Sequence, residues 1–374
     1  MDIQLNTLYV FTAGSYLRRD HRNVVVEFEK QTRATIPVHH LDAVAVFGHC
    51  LVSPGLMELC HEHGVSVTYL SESGRVVARV DAPRSGNVLL RREQFRRADR
   101  PDACAAIARA AVAGKLQNAR HTLLRAARDT DDADAPVELQ RAAALIGQHV
   151  ESLPGAADVD SVRGHEGDAA CVYFGVFPRL IRPARRDDFP MNGRSRRPPL
   201  DRVNSLLSFV YALMTHDCVA ALTAAGLDPD VGFLHVDRPG RPGLALDLVE
   251  EFRTLVADRL VIALINRQQL GPSDFVARDG GAVELTAGGR KTLVQAYVGR
   301  KREEVTHPLL DVKVRVGQLP FLQAKLLARH LRGDADTYPP CILRRDPHAL
   351  RDHLRRIHDH PGRPPPPPQG GSGL

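Results

Sequence analysis

Residues 232–253, GFLHVDRPGRPGLALDLVEEFR, concentrate groups that can hold a cation or move a proton: His235, Asp247, Glu250 and Glu251. Asp247 and Glu250 are three apart, so on a helix both point from one face, with Glu251 at its border. Leu244, Leu246, Leu248, Val249, Phe252, Leu255 and Val256 cover nearly every other direction, the mark of a buried helix. Buried carboxylates need a partner or a metal. A further acid, Glu166, sits between Gly164 and Gly167 in VDSVRGHEGDAACVYFGVF. Each glycine costs about 1 kcal/mol against Ala inside a helix, and such glycines mark the close approach of another backbone or a ligand. An ordinary exposed acid is the other reading of Glu166. Carboxylates with an imidazole can hold a divalent ion while leaving water positions open, and a mixed oxygen and nitrogen set suits Mn²⁺ and tolerates Mg²⁺. Such an ion polarises a phosphodiester, activates a hydroxyl or water and stabilises the leaving oxygen. An i, i+3 acid pair by itself is also common on solvated faces.

The elements that must position these groups follow from local signals. The apolar run 231–234 delivers His235, and Pro239, Gly240, Pro242 and Gly243 forbid a helix until Leu244. A helix is predicted from there to about residue 266. Asp158 can cap the Glu166 helix, and a strong helix over 203–225, closed by Gly226, leads into the His235 segment. Helices are expected over 103–128, 137–153, from Thr286 onward, 317–331 and 346–360. A hairpin is expected around Asp279, Gly280 and Gly281. Residues 1–87 read instead as a small sheet, with strands at 8–11, 24–28, 34–38, 43–47, 65–70 and 76–80, a turn at 71–74, and one helix capped by Ser53. The fold class is therefore α+β with two domains: a β-rich domain over 1–87, a mostly α-helical domain over 88–345, and a basic helix with a Pro/Gly-rich tail over 346–374.

Composition narrows the chemistry. The chain has 374 residues and a net charge of +6, and only six of its 50 basic residues are Lys. An Arg-dominated basic chain leans toward phosphate-bearing partners. Arginines crowd 91–100, read as a linker, and residues 179–202 hold eight Arg against three Asp among prolines. The latter suits a mobile basic arm that orders on an anionic partner, or a plain surface loop. Trp is absent and other aromatics are sparse, which argues against base-stacking platforms. Six scattered cysteines without a CxxC pair and without a signal peptide read as reduced thiols in the cytoplasm. The histidines and cysteines between residues 39 and 63 fit no standard zinc spacing and read as packing or surface groups. The apolar runs are too short to span a membrane, and no membrane contact is expected.

RGHEGDAACVYFGVF, GFLHVDRPGRPGLALDLVEEFR, and VFGHCLVSPGLMELCHEHGVSVTYLSESGRVVARV followed by GNVLLRREQF together resemble the universal CRISPR-associated adaptation endonuclease, the spacer-inserting integrase family, over residues 1–345. The N-terminal run is most similar to the type I-C branch. The resemblance implies Glu166, His235 and Glu250 as ligands to Mg²⁺ or Mn²⁺, with Asp247 as a supporting acid. It also implies a β-rich N-terminal domain that forms a homodimer, double-stranded DNA (donor spacer and repeat) as substrate, and a small ferredoxin-like adaptation partner. Arg163, Arg185, Arg186, Arg196 and Arg197 are the expected DNA contacts. The chemistry expected is attack of a donor 3′-hydroxyl on a repeat-end phosphodiester. A metal nuclease acting in repair and a non-catalytic DNA-binding scaffold are the other readings of these residues.

Overall fold

The computed structural model describes residues 7–41, 43–71, 76–80 and 87–343. The expected 71–74 turn, the 346–360 helix and the proline-rich tail fall wholly or partly outside them. The N-terminal part contains β1 (Thr7–Val10), β2 (Tyr16–Asp20), β3 (Asn23–Phe28), β4 (Gln31–Pro37), β5 (Ala43–Phe47), β6 (Leu51–Val52), α1 (Pro54–Glu62), β7 (Ser66–Leu70) and β8 (Val76–Val80). They make two four-stranded sheets rather than the single sheet expected, ordered β1-β5-β7-β8 and β4-β3-β2-β6. The difference arises from β2 and β6. YLRRD carries too many charges to read as a strand, and a two-residue strand carries no period at all. Pairing with β3 and β6 fixes β2 nonetheless.

β5 shows how the layers join. All five of its residues are buried, because alternate side chains enter different cores. Val44 and Val46 pack with Leu17, Val24, Leu56 and Leu59 from the other sheet and α1. Ala45 and Phe47 instead join the helical core. The Phe47 ring lies 4.5 Å from that of Phe11 and 6.1 Å from that of Phe209, so the sheet is welded to the helical part by aromatic packing.

The strand-to-helix change falls between Val80 and Val88. α2 (Val88–Ala98) occupies the stretch read as an Arg-rich linker; its charges hide a helix that buries Leu90 and Gln94. Then come α3 (Pro101–Asp129), α4 (Ala135–Ser152), α5 (Val159–Val176), the single turn α6 (Pro183–Arg186) and α7 (Arg202–Ala224). α8 (Gly243–Phe252) continues through a π-helical segment (Arg253–Asp258) into α9 (Arg259–Asn266). The hairpin β9 (Phe275–Ala277) and β10 (Val283–Leu285), α10 (Ala287–Arg302), a second hairpin β11 (Glu304–Thr306) and β12 (Lys313–Arg315), and α11 (Leu319–Arg332) complete it. Ser53, Asp158, Asp201 and Thr286 cap α1, α5, α7 and α10, each side chain accepting from a backbone N–H three residues on.

Three expectations change. Residues 179–202 are packed rather than a loose arm. Arg185 pairs with Asp188 and Arg186 with Asp132, while Arg194 bonds Asn204 and Ser208. The local excess of positive charge is thus drained into acids and carbonyls, several of them distant in sequence. No atom comes within 4 Å of a Cβ built on Gly164 or Gly167, so no other backbone approaches there. Finally, α7 is long and apolar enough to cross a membrane by composition, since Thr215, His216 and Asp217 interrupt the run without breaking the helix. Two-thirds of its apolar window is buried in the core.

α3 is the central rod, and its small residues let neighbours approach. At Gly114 an added Cβ would stand 3.0 Å from Pro340 and 3.3 Å from Glu251. Glu251, fully buried on α8, accepts from Tyr338 Oη, from Gln323 Nε2 at 2.9 Å and from the Cys341 N–H at 2.6 Å. It thereby straps residues 338–343 across α3 and α8. Burial pushes the Glu251 carboxyl up from 4.5 to about 7, against the lowering effect of those three donors. The folded state then binds more protons than the unfolded one between pH 4.5 and 7, so ionisation of Glu251 costs stability as pH rises through that window. Relative to a Glu251→Gln variant, the parent should lose about 3 kcal/mol of unfolding free energy between pH 4.5 and 7.5, measured by urea denaturation at each pH. A pH-independent difference would show that Glu251 does not titrate in this way.

Candidate metal centre and nucleic-acid interface

The His235 segment is built by its own backbone. Pro242 leaves α8 without a side-chain cap, and the first N–H groups of a helix have no partner within it. Here the Gly243 and Ala245 N–H groups donate to the carbonyls of Asp230 and Pro229, both at 3.1 Å. This crossing is possible only without side chains. A Cβ on Gly243 would lie 2.7 Å from the Asp230 oxygen, and one on Gly232 would lie 2.8 Å from the Gly243 carbonyl carbon. From the other side the buried Gln94 of α2 clamps the loop, donating to the Asp228 and Val231 carbonyls and accepting from the Asp228 N–H at 2.8, 2.9 and 2.9 Å.

Asp247 then closes the loop over the helix. Its Oδ2 accepts from the N–H groups of Phe233 and Leu234 at 2.6 and 3.0 Å, and its Oδ1 from the His235 N–H at 2.9 Å. The same Oδ1 lies 2.7 Å from His235 Nδ1. A carboxylate can only accept, so the imidazole proton belongs on Nδ1 and the Nε2 lone pair is left for the site. Nε2 faces Glu250 Oε1 at 3.9 Å. Arg163 on α5 donates to the Leu234 carbonyl at 2.9 Å and pairs with Asp160, tying the Glu166 helix to the His235 loop.

Glu166 and Glu250 meet at one cation. The Lys115 ammonium of α3 contacts Glu166 Oε1 and lies 2.8 Å from Glu250 Oε2. Arg253 reaches Glu250 Oε1 at 2.9 Å and stacks over the Tyr211 ring at 4.6 Å. Burial opposes the Glu250 charge, but Arg253, Lys115 and His235 together outweigh it and hold the carboxyl down at about 2. Among the described residues no three His, Cys, Asp or Glu side chains close on a common point as they stand; the Lys115 ammonium is what lies between the acids. By the chemistry of their donor atoms, Glu166, Glu250 and His235 are the groups a divalent ion would draw on if the ammonium moved aside. Two acids share one cation, an imidazole nitrogen faces one of them, and its other nitrogen is fixed by a carboxylate, the usual outer support of a ligating histidine. Glu250 Oε2, though at ion-pair distance from Lys115, is a buried oxygen without a hydrogen bond of acceptable geometry.

Around this centre lies positive surface. Arg196 and Arg197 are exposed, and Arg196 lines a cleft with Lys115, Tyr211 and Arg253. Arg238 and Arg241, in the loop after His235, were not among the expected DNA contacts. Partial burial and then Arg238 depress the Arg241 guanidinium; Asp247 opposes this, while Arg197 and Arg163 reinforce it. Four guanidiniums thus crowd beside the site, an arrangement that favours an anion. Arg185 and Arg186 are instead occupied by Asp188 and Asp132. Tyr173 is core: its hydroxyl donates to buried Asp258 at 3.0 Å, as does that of Tyr211 at 2.6 Å.

The family described as CRISPR associated protein Cas1 matches residues 8–298. The CRISPR-associated endonuclease Cas1 2 of Rhodospirillum rubrum is 50% identical over 341 residues, 90% of this chain and 98% of that protein. Among solved structures, a casposase bound to integration product superposes with a TM-score of 0.77 at 19% identity, covering 95% of this chain and all of that one. A Cas6-RT-Cas1–Cas2 complex gives 0.78 at 22% identity, over 92% of this chain and 37% of that one.

The Asp247 cluster makes its own prediction. Asp247→Asn keeps one oxygen for the loop N–H groups but loses the charge and places an amide against donors. Stability should fall by about 1–3 kcal/mol in chemical denaturation, and the protected Nδ1–H resonance of His235 should disappear from the proton spectrum. Retention of both would mean that this carboxylate does not organise the loop.

Proposed function

Given that the chain belongs to the Cas1 family of CRISPR-associated endonucleases, we propose that it is a divalent-metal-dependent DNA endonuclease and integrase that inserts spacers by attack of a donor 3′-hydroxyl on a repeat-end phosphodiester. The observation that carries this reading is the meeting of Glu166 and Glu250 on one ammonium beside Nε2 of His235. Glu166, His235 and Glu250 would hold Mg²⁺ or Mn²⁺. Such an ion, when bound, activates a hydroxyl and steadies a leaving oxygen. The chain's own residues do the rest. Asp247 keeps His235 in the tautomer that presents Nε2. Arg253 and Lys115 keep Glu250 ionised at any physiological pH. Arg163, Arg196, Arg197, Arg238 and Arg241 supply positive charge where phosphates of double-stranded DNA would lie. Arg185 and Arg186 could join them only by leaving Asp188 and Asp132.

A homodimer through the β-rich layers is part of the same proposal. The edge strands β6 and β8 expose Leu51, Val76 and Val77, and β2 exposes Tyr16; apolar edges of this kind need cover. A small ferredoxin-like adaptation protein is proposed as a further partner, supported by the structural neighbour that is itself part of a Cas1–Cas2 complex. Six free thiols, five of them buried, suit a cytoplasmic location.

Glu166→Gln and His235→Ala should each lower strand transfer by at least about 10³-fold while leaving duplex binding in the absence of divalent metal within about threefold, since neither side chain belongs to the guanidinium cluster. Joining of a labelled donor to a repeat duplex measures the first, and a mobility shift the second. Parental joining rates in either variant would remove the proposed centre; efficient nicking of the repeat without joining, by the parent, would favour a repair-type nuclease instead. Arg238→Ala with Arg241→Ala should reduce the slope of log affinity against log salt by about 0.9 for each phosphate no longer neutralised. An unchanged slope would place the DNA elsewhere.

A further inference from the structure

Lys115 is the group that fills the space between the two acids of the centre. It stands on α3, its side chain 11% exposed, and it contacts both Glu166 and Glu250. While its ammonium holds that place, the two acids cannot both face a divalent ion. The charges also balance without one: Lys115 and Arg253 offset Glu166 and Glu250, and Asp247 is satisfied separately by the loop and His235. Added divalent charge would leave the pocket strongly positive beside the guanidiniums of Arg163, Arg197, Arg238 and Arg241. A phosphate group is the natural relief of that excess. The lysine also has space beside it, because the cleft it lines is walled by Ala169 and Ala170 as well as by Arg196 and Tyr211. Two of those neighbours are alanines that leave room, and the four-carbon stem can carry the ammonium out without moving α3.

We propose that Lys115 is the internal counter-ion of the metal-free centre, vacating the space between Glu166 and Glu250 when metal binds, and that it thereby makes metal occupancy depend on a DNA phosphate. The inference rests on the metal-centre reading above. In the absence of DNA, the Lys115 ammonium competes for the carboxylates and metal binds weakly. With DNA, the displaced ammonium and the excess positive charge both find a phosphate, and the two ligands strengthen one another's binding by the same factor. Lys115 is in this account a positioning residue whose charge, rather than its shape, matters.

The test measures Mn²⁺ binding to the full chain by electron paramagnetic resonance, with and without a short duplex whose 3′ ends are blocked. The parent should bind Mn²⁺ weakly alone and about tenfold more tightly with DNA. Lys115→Met should bind Mn²⁺ about tenfold more tightly than the parent without DNA and gain little when DNA is added. Lys115→Arg, which keeps the charge, should behave as the parent does. Should Lys115→Met not fold in the absence of metal, Lys115→Gln reads the same charge effect with a polar head. Glu166→Gln defines which Mn²⁺ is counted. Absence of any Glu166-dependent Mn²⁺ in the parent, even with DNA, would overturn the metal centre itself. Glu166-dependent binding in the parent, with no tightening in the charge-removing variants or with equal tightening in Lys115→Arg, would overturn only the part assigned to Lys115.

Discussion

Helix α8 must carry three carboxylates into an interior that is otherwise apolar, and the surrounding architecture is the answer to that constraint. Each acid is answered differently. Asp247 is surrounded by backbone donors and becomes the post on which the His235 loop hangs. Glu250 is surrounded by cations and stays charged. Glu251 is surrounded by neutral donors from the C-terminal segment and drifts toward neutrality. Two neighbouring residues of one type are thus pulled in opposite directions by what packs against them. Isolated buried charge is prohibitive, so the elements that supply these partners, α3, the 228–235 loop and residues 338–343, are fixed relative to α8 by necessity rather than by apolar packing alone.

Much of this framework was legible in the sequence. The proline and glycine run before Leu244 announced the start of α8, and an acid pair on an apolar helix announced that something must meet it. Asp158 capped α5 as its position suggested. The strand-rich and helix-rich halves were separable because periodicity changes where composition does. What could not be read has a common cause: the information is carried by single polar residues whose partners are distant in sequence. Lys115 is one lysine in an alanine-rich helix, and nothing near it hints that Glu166 and Glu250 will arrive. Gln94 lies among arginines that made its helix look like a linker. Arg186 looked unpaired because its partner Asp132 belongs to another connection altogether. Arg238 and Arg241 flank the prolines after His235 in plain view, yet two arginines in a short loop are a weaker signal than the dense run over 179–202.

The π-helical turn belongs to the same pattern. Residues 253–258 depart from the α-helical hydrogen-bond ladder, a departure that tends to occur at functional positions. It begins at Arg253, which pairs with Glu250 three residues earlier, and ends at Asp258, which accepts from Tyr173 and Tyr211. The irregular turn therefore lies between the charged centre and the buried tyrosine pair, and it lets one continuous helix serve both.

The clamp made by Gln94 has a mechanical meaning. α2 is eleven residues long, a rod of roughly 16 Å at 1.5 Å per residue. At one end Asn87 abuts Gly226, where an added Cβ would lie 2.6 Å from the amide nitrogen. In its middle Gln94 grips the backbone that precedes His235 with three hydrogen bonds. A rod seated at one end and fastened near its centre is a lever. Any tilt of that rod would be delivered through Gln94 to the backbone that precedes His235.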